Sequence, residues 1–175
     1  NEEVANLIPR IHRPIITYGE TEGADYQLLG YQSHGMETRF EVKMPHGISE
    51  FTVALPGKYS VLNSLAAIAI ANDLGVPHPA IRRALRRFKG IGRRFQFHPS
   101  ITLKAGGSVE VMEDYGHHPT EIRAVYEALT TAYPDKRIVV AFQPHRYSRT
   151  EELYNEFLDV LCLLYTSPSP RDRSL

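Results

Sequence analysis

The 175-residue sequence has one cysteine and no tryptophan. A lone Cys162 excludes an intramolecular disulfide framework and any multi-cysteine zinc site, and it suits a reducing cytoplasm. Neither sign of charge is in excess. Twenty Lys plus Arg against twenty Asp plus Glu argue against an overall basic nucleic-acid-binding domain. Long hydrophobic runs are also missing: the longest, Leu65 to Ala71, falls far short of the ~20 apolar residues that span a membrane. The N-terminus, Asn1-Glu2-Glu3, carries no methionine, basic patch or apolar leader, so it reads as the middle of a longer protein. What is present, 42% hydrophobic and 23% charged residues, is the composition of a folded globular chain and argues against wholesale disorder.

Residues 13 to 55 read as short strands. Pro14 to Tyr18, Tyr26 to Tyr31, Thr38 to Lys43 and Glu50 to Leu55 are rich in β-branched and aromatic residues, with Gly19, Gly23, His34-Gly35 and Pro45-His46-Gly47 between them. Arg39-Phe40-Glu41-Val42-Lys43 alternates as a half-buried antiparallel strand does. After Pro56-Gly57 a helix is expected over Ser60 to Leu74, apolar on nearly every face through Leu65–Ala71 and therefore deeply buried, with Gly75 just past its end. Pro79 opens a second helix, whose Ile81, Ala84, Leu85 and Phe88 form an amphipathic stripe. Its Arg82, Arg83, Arg86 and Arg87 read as a solvated face. Arg93 and Arg94 lie past it, beside Gly90-Ile91-Gly92, a candidate hinge and domain boundary.

Beyond the hinge, Arg94 to His98 and Ser108 to Glu113 read as strands and Pro119 to Ala132 as a helix capped near His118. Arg137 to Phe142 is an almost continuous apolar run, expected as a parallel strand buried on both faces, with another helix from near Arg149. That order makes a βαβ unit and an α/β fold. The last dozen residues, from about Leu163, break the pattern with two prolines. They read as a disordered tail and resemble the translation of a sequencing adapter.

In a parallel α/β sheet, ligands bind beyond the carboxyl ends of the strands. Two polar loops are expected there: Asp114-Tyr115-Gly116-His117-His118 and Gln143-Pro144-His145-Arg146-Tyr147-Ser148-Arg149. Opening on one edge, they would bring Asp114, His117, His118, His145, Arg146 and Arg149 into one cleft. Arg146 and Arg149, three apart at a helix start, suit a carboxylate or phosphate. Asp114 suits ribose hydroxyls. A zinc site from His117, His118 and His145 lacks an evident further ligand, and adjacent histidines point apart. No Gly-x-Ser-x-Gly elbow supports a hydrolase. No P-loop is present, since Gly57-Lys58 is followed by Tyr59 rather than Ser or Thr, so a triphosphate would need its main cradle elsewhere.

Four motifs in order carry a family resemblance: Pro56-Gly57 with Asn63 and the Ala-rich helix; Gly90-Ile91-Gly92-Arg93-Arg94-Phe95; Asp114-Tyr115-Gly116-His117-His118-Pro119-Thr120-Glu121; and Gln143-Pro144-His145-Arg146-Tyr147-Ser148-Arg149-Thr150. Together, from about Asn1 to Leu161, the chain resembles the Mur ligases of bacterial cell-wall synthesis. Tyr59-Ser60 stands where the family usually has His-Asn.

The resemblance implies a fragment of a three-domain, cytoplasmic enzyme. Residues 1–89 would be the end of a central ATP-binding domain, strands then two helices. Residues 90–162 would be the first half of a Rossmann-like C-terminal domain, and 163–175 the tail. The P-loop and the principal Mg2+ ligands would lie upstream. The implied reaction joins L-alanine to the carboxylate of UDP-N-acetylmuramate through an acyl phosphate made with ATP. Asn63 would contact adenine, Asp114 the ribose, and Arg94 the ATP phosphates. His117, Arg146 and Arg149 would hold the alanine and the muramoyl end, with Arg94 and His117 closest to the chemistry. No nucleic acid or membrane partner is implied, and the fragment alone is expected to be inactive. The alternatives are a ligase attaching recycled murein tripeptide to the same sugar nucleotide, and a noncatalytic nucleotide-binding module.

Overall fold

A computed structural model describes residues 2–164 of the chain. A short helix α1 (Glu2–Ala5) and a single 3-10 turn (Ile8–Arg10) precede a four-stranded sheet: β1 (Tyr18–Gly19), β2 (Tyr26–His34), β3 (Glu37–Met44) and β4 (Gly47–Val53), in spatial order β1-β2-β3-β4. β1 pairs with β2 in parallel; the other pairs are antiparallel. The alternation read from the sequence is realised in β3. Thr38, Phe40, Val42 and Met44 are buried and Glu37, Arg39, Glu41 and Lys43 are exposed. The expected strand from Pro14 shrinks to its last residue, because Thr17 is tied to Asp25 instead. The Thr17 amide donates to Asp25 Oδ2 at 2.7 Å and its hydroxyl to the same oxygen at 2.6 Å.

Two helices cover the inner face of the sheet, α2 (Lys58–Asp73) and α3 (His78–Arg87). Val61, Leu65 and Ile68 of α2, with Ile81 and Leu85 of α3, pack against Phe40, Val42, Phe51 and Val53 to form the main core. α2 ends as its sequence requires. Gly75 takes φ +72°, its amide reaches Asn72 O at 2.9 Å, and the Val76 amide reaches Ala71 O at 2.9 Å, the paired bonds of a Schellman terminus. Burial is less complete than the apolar run suggested: Ile70 is 62% exposed, because only one face of α2 meets the sheet.

The second half contains a hairpin, β5 (Gln96–Thr102) with β6 (Ser108–Glu113), then α4 (Pro119–Ala132), α5 (Tyr147–Glu152) and α6 (Tyr154–Leu164). Helix α4 has the bounds read from the sequence. The βαβ unit does not form. β5 and β6 are antiparallel, and residues 137–142 belong to no strand, leaving Val139 76% and Val140 44% exposed. A strand exists only within a ladder, and no described strand pairs with this segment; Ile138 and Phe142 are half-buried, the Phe142 ring 5.5 Å from that of Phe157. α6 runs through Leu164, so Leu163 and Leu164 are helical rather than tail. Residues 165–175, the rest of the expected tail, lie outside the described residues. Among those described, no helix is long and apolar enough to cross a membrane.

The halves meet where α4 lies against α2 and β2. Gly57, the residue before α2, has φ +87°, and a Cβ added there would sit 2.7 Å from the Cβ of Ala128. Tyr59 packs tilted against Phe95, ring centroids 6.4 Å apart.

Candidate functional site

The site is built on a tight turn at the joint. Arg93 and Phe95 both have positive φ, 61° and 49°, a strained setting for bulky residues. The expected strand therefore starts two residues late, at Gln96. What holds the turn is the Phe95 ring, 3% exposed between Tyr59 and Phe97, and the carboxylate of Asp114. Asp114 Oδ2 accepts the Phe95 amide at 2.9 Å, and Oδ1 accepts the Gly116 amide at 2.6 Å. The Tyr115 amide donates to Arg93 O at 2.7 Å. One side chain thus fastens the hinge turn to the loop after β6.

Arg94 leaves this turn between two acids. Nη1 is 3.4 Å from Asp114 Oδ1 and Nη2 is 3.3 Å from Glu121 Oε1. The Tyr115 ring lies under the guanidiniums of Arg93 and Arg94, 4.7 and 5.9 Å from Cζ to centroid, within cation–π range. Its edge meets His117 at 5.3 Å. His117 Nδ1 lies 3.1 Å from Tyr115 O; a proton placed there leaves Nε2 as the acceptor nitrogen.

Glu121, which the motif reading did not single out, organises the start of α4. Its Oε2 accepts the amides of His117 at 2.9 Å and His118 at 3.3 Å, while His118 Nδ1 accepts the Thr120 amide at 3.2 Å. This is a capping box with histidine at the cap, and the spacing His118-x-x-Glu121 is its sequence signal. Burial alone would raise the Glu121 carboxyl. The His117 amide and the charge of Arg94, helped by His117 and the His118 amide, hold it below the usual range instead.

Tyr59, noted in the sequence only as a departure from the usual family pattern, also joins the site. Burial pushes its phenol up to about 12, with the Ser60 side chain opposing the rise, Asp114 adding to it and Arg94 opposing it. Its hydroxyl is buried without a hydrogen-bond partner among the described residues. Asn63 lies one helical turn beyond Tyr59 on α2, exposed.

The structure therefore brings Arg94, Asp114 and His117 together and adds Glu121 and Tyr59. It does not join the second loop to them through a shared sheet. Among the described residues no hydrogen bond or ion pair links His145, Arg146 or Arg149 to this cluster. Arg146 precedes the six-residue α5, exposed and at φ +69°; Arg149 lies within it, with Nη1 buried and without a partner among the described residues. The one-cleft expectation loses the shared sheet that was to support it, because the segment meant to carry the second loop forms no strand. No group of three His, Cys, Asp or Glu side chains among the described residues is placed to hold a metal ion.

Comparison with known proteins gives these elements a common context. The Mur ligase middle domain matches residues 1–71, and the Mur ligase, glutamate ligase domain matches residues 93–174. The UDP-N-acetylmuramate–L-alanine ligase of Halorhodospira halophila is 48% identical over 160 residues, 91% of this chain and 33% of that protein. The ligase of the same name from Methylococcus capsulatus is 45% identical, over 90% of this chain and 34% of that protein. This chain thus spans about a third of the length of both. Among solved structures, the UDP-N-acetylmuramate-alanine ligase of Thermotoga maritima superposes with a TM-score of 0.67 at 27% identity, covering 86% of this chain and 37% of that one. Two Mur ligase domains matched in order, the second beginning at the Arg93–Phe95 turn, together with this shared fold, identify the chain as a member of the Mur ligase family.

Proposed function

We propose that the chain is part of an ADP-forming ligase that joins L-alanine to the carboxylate of UDP-N-acetylmuramate in peptidoglycan synthesis, in the cytoplasm. The observation that carries this reading is the 48% identity, over 91% of the chain, to a ligase of that name. In this reading residues 1–89 close the ATP-binding domain and 90–162 begin the C-terminal domain. The muramoyl carboxylate attacks the γ-phosphorus of ATP and ADP leaves. The alanine nitrogen then attacks the acyl carbon, and phosphate leaves as the amide forms. Catalysis of this kind is mostly positioning and charge stabilisation.

The chain's own residues suit those tasks. A guanidinium has five N–H donors. Arg94 uses two, toward Asp114 and Glu121, which leaves three for phosphate oxygens. A carboxylate offers about four acceptor sites. Asp114 fills three, with the amides of Phe95 and Gly116 and with Arg94, and its side chain is 10% exposed, so one site remains for a ribose hydroxyl. Asn63, exposed on α2, is assigned to adenine. His117, Arg146 and Arg149 are assigned to the alanine and the muramoyl end, and the unpartnered Nη1 of Arg149 supports an anionic ligand there. Among the described residues no three His, Cys, Asp or Glu side chains form a metal cage. The principal Mg2+ ligands are assigned, in this reading, to the part of the relatives that the chain does not span, and no step is derived through the ion.

The test is phosphate release by the full-length protein with UDP-N-acetylmuramate, ATP and either L-alanine or murein tripeptide. Release with L-alanine is expected. Preference for the tripeptide would assign the recycling ligase instead. Micromolar ATP binding by the 175-residue chain alone, with no ligation by the full protein, would assign a noncatalytic nucleotide-binding module.

A further inference from the structure

We propose that Glu121 is a positioning residue that presents Arg94 to the nucleotide, an assignment that rests on the ligase reading above. Its two oxygens have separate tasks. Oε2 is fixed by the amides of His117 and His118, at 2.9 and 3.3 Å, so the carboxylate is rigid with respect to the start of the fourteen-residue α4. Oε1 is thereby aimed at Arg94 Nη2, 3.3 Å away. Arg94 needs such a hold. Its side chain is 41% exposed and emerges from a turn, and a free arginine side chain has much rotamer entropy to lose. Asp114 alone holds only one of its nitrogens. That carboxylate is also committed to the Phe95 and Gly116 amides and meets Nη1 at 3.4 Å.

The two acids grip one η nitrogen each. Nε and the second hydrogen of each η nitrogen stay available, so the guanidinium is oriented before an anion arrives. The division of labour follows. Asp114 keeps the hinge turn and the following loop together, whereas Glu121 sets the direction in which Arg94 points.

The experiment is a double-mutant cycle in the full-length enzyme with Glu121→Gln and Arg94→Ala. Gln keeps a carbonyl oxygen for the cap amides and loses the charge facing Arg94. Glu121→Gln alone is expected to lower kcat/KM for ATP about tenfold and to leave the KM for L-alanine within about twofold. In the Arg94→Ala background the same change should add less than about twofold. Equal losses for ATP and alanine, or a full tenfold further loss without Arg94, would overturn the proposal and leave Glu121 as a helix cap only. The melting temperatures of the same four proteins give a readout that does not depend on the reaction. A non-additive pair supports the contact, and strictly additive shifts overturn it. If the wild-type enzyme makes no product while the melting temperatures are coupled, it is the ligase reading that has failed.

Discussion

Gly57 and Ala128 are in contact across the two halves of the chain: a Cβ on Gly57 would stand 2.7 Å from the Cβ of Ala128. The contact lets the N-terminus of α2 approach α4 without an intervening side chain, and it brings Tyr59 within reach of the Arg94–Asp114 turn. Gly57→Ala therefore faces two penalties. A non-glycine residue at φ +87° costs about 1–3 kcal/mol, and the helices must move apart. Thermal unfolding should show a melting temperature several degrees lower. Adding Ala128→Gly should recover the steric part of the loss and leave the backbone part.

The Tyr59 hydroxyl is buried and has no hydrogen-bond partner among the described residues. An unsatisfied polar group of this kind costs about 1–3 kcal/mol relative to a satisfied one. Tyr59→Phe keeps the ring against Phe95 and removes the burden, so it should leave stability unchanged or raise it by up to about 1 kcal/mol in a denaturant titration. A loss of more than about 1 kcal/mol would mean that the hydroxyl has found a partner in solution.

These contacts mark the boundary of what the sequence could say. The alternation in Arg39–Lys43, the proline and glycine that bracket the two central helices, and the bounds of α4 all follow from local rules, and each element forms as read. Arg94, Asp114 and His117 were legible because they sit in dense polar motifs at element ends. Glu121 had a local signal, the capping-box spacing, but a histidine at the cap disguised it. Tyr59 stood out only as a departure from the family pattern: its packing against Phe95, thirty-six positions away, and its burial are set by the fold. The failure at residues 137–142 has the opposite cause. Their apolar pattern states what environment the segment needs, and a pattern cannot supply the strands that would pair with it.

Acid should loosen the cap of α4. The Glu121 carboxyl is held below its ordinary value of 4.5 in the folded chain. A depressed folded value means that the stabilisation is fully present above the unfolded value and is lost as pH falls through the folded one. The acid limb of the stability curve below about pH 4.5 should therefore be shallower in Glu121→Gln than in the parent chain. The difference will be modest, because the side chain is one-third exposed and solvent screens its partners. Chemical denaturation at a series of pH values gives the comparison; identical slopes would mean that Glu121 is not linked to folding.

Arg149 offers a case in which function and stability should move apart. Its Nη1 is buried with no partner among the described residues, and an unsatisfied buried donor works against the fold even when the rest of the side chain is half-exposed. Arg149→Ala should therefore leave the melting temperature of the full-length enzyme unchanged or slightly higher. If the guanidinium waits for the carboxylate of alanine or the muramoyl end, the same substitution should raise the alanine KM at least about tenfold while changing the ATP KM little. A structural arginine would give the reverse pattern, a lower melting temperature with both KM values affected alike. The split between the two substrates therefore distinguishes a residue kept for an incoming anion from one kept for packing, and a site that tolerates an unsatisfied charge to bind its ligand is the usual form of the stability–activity trade-off.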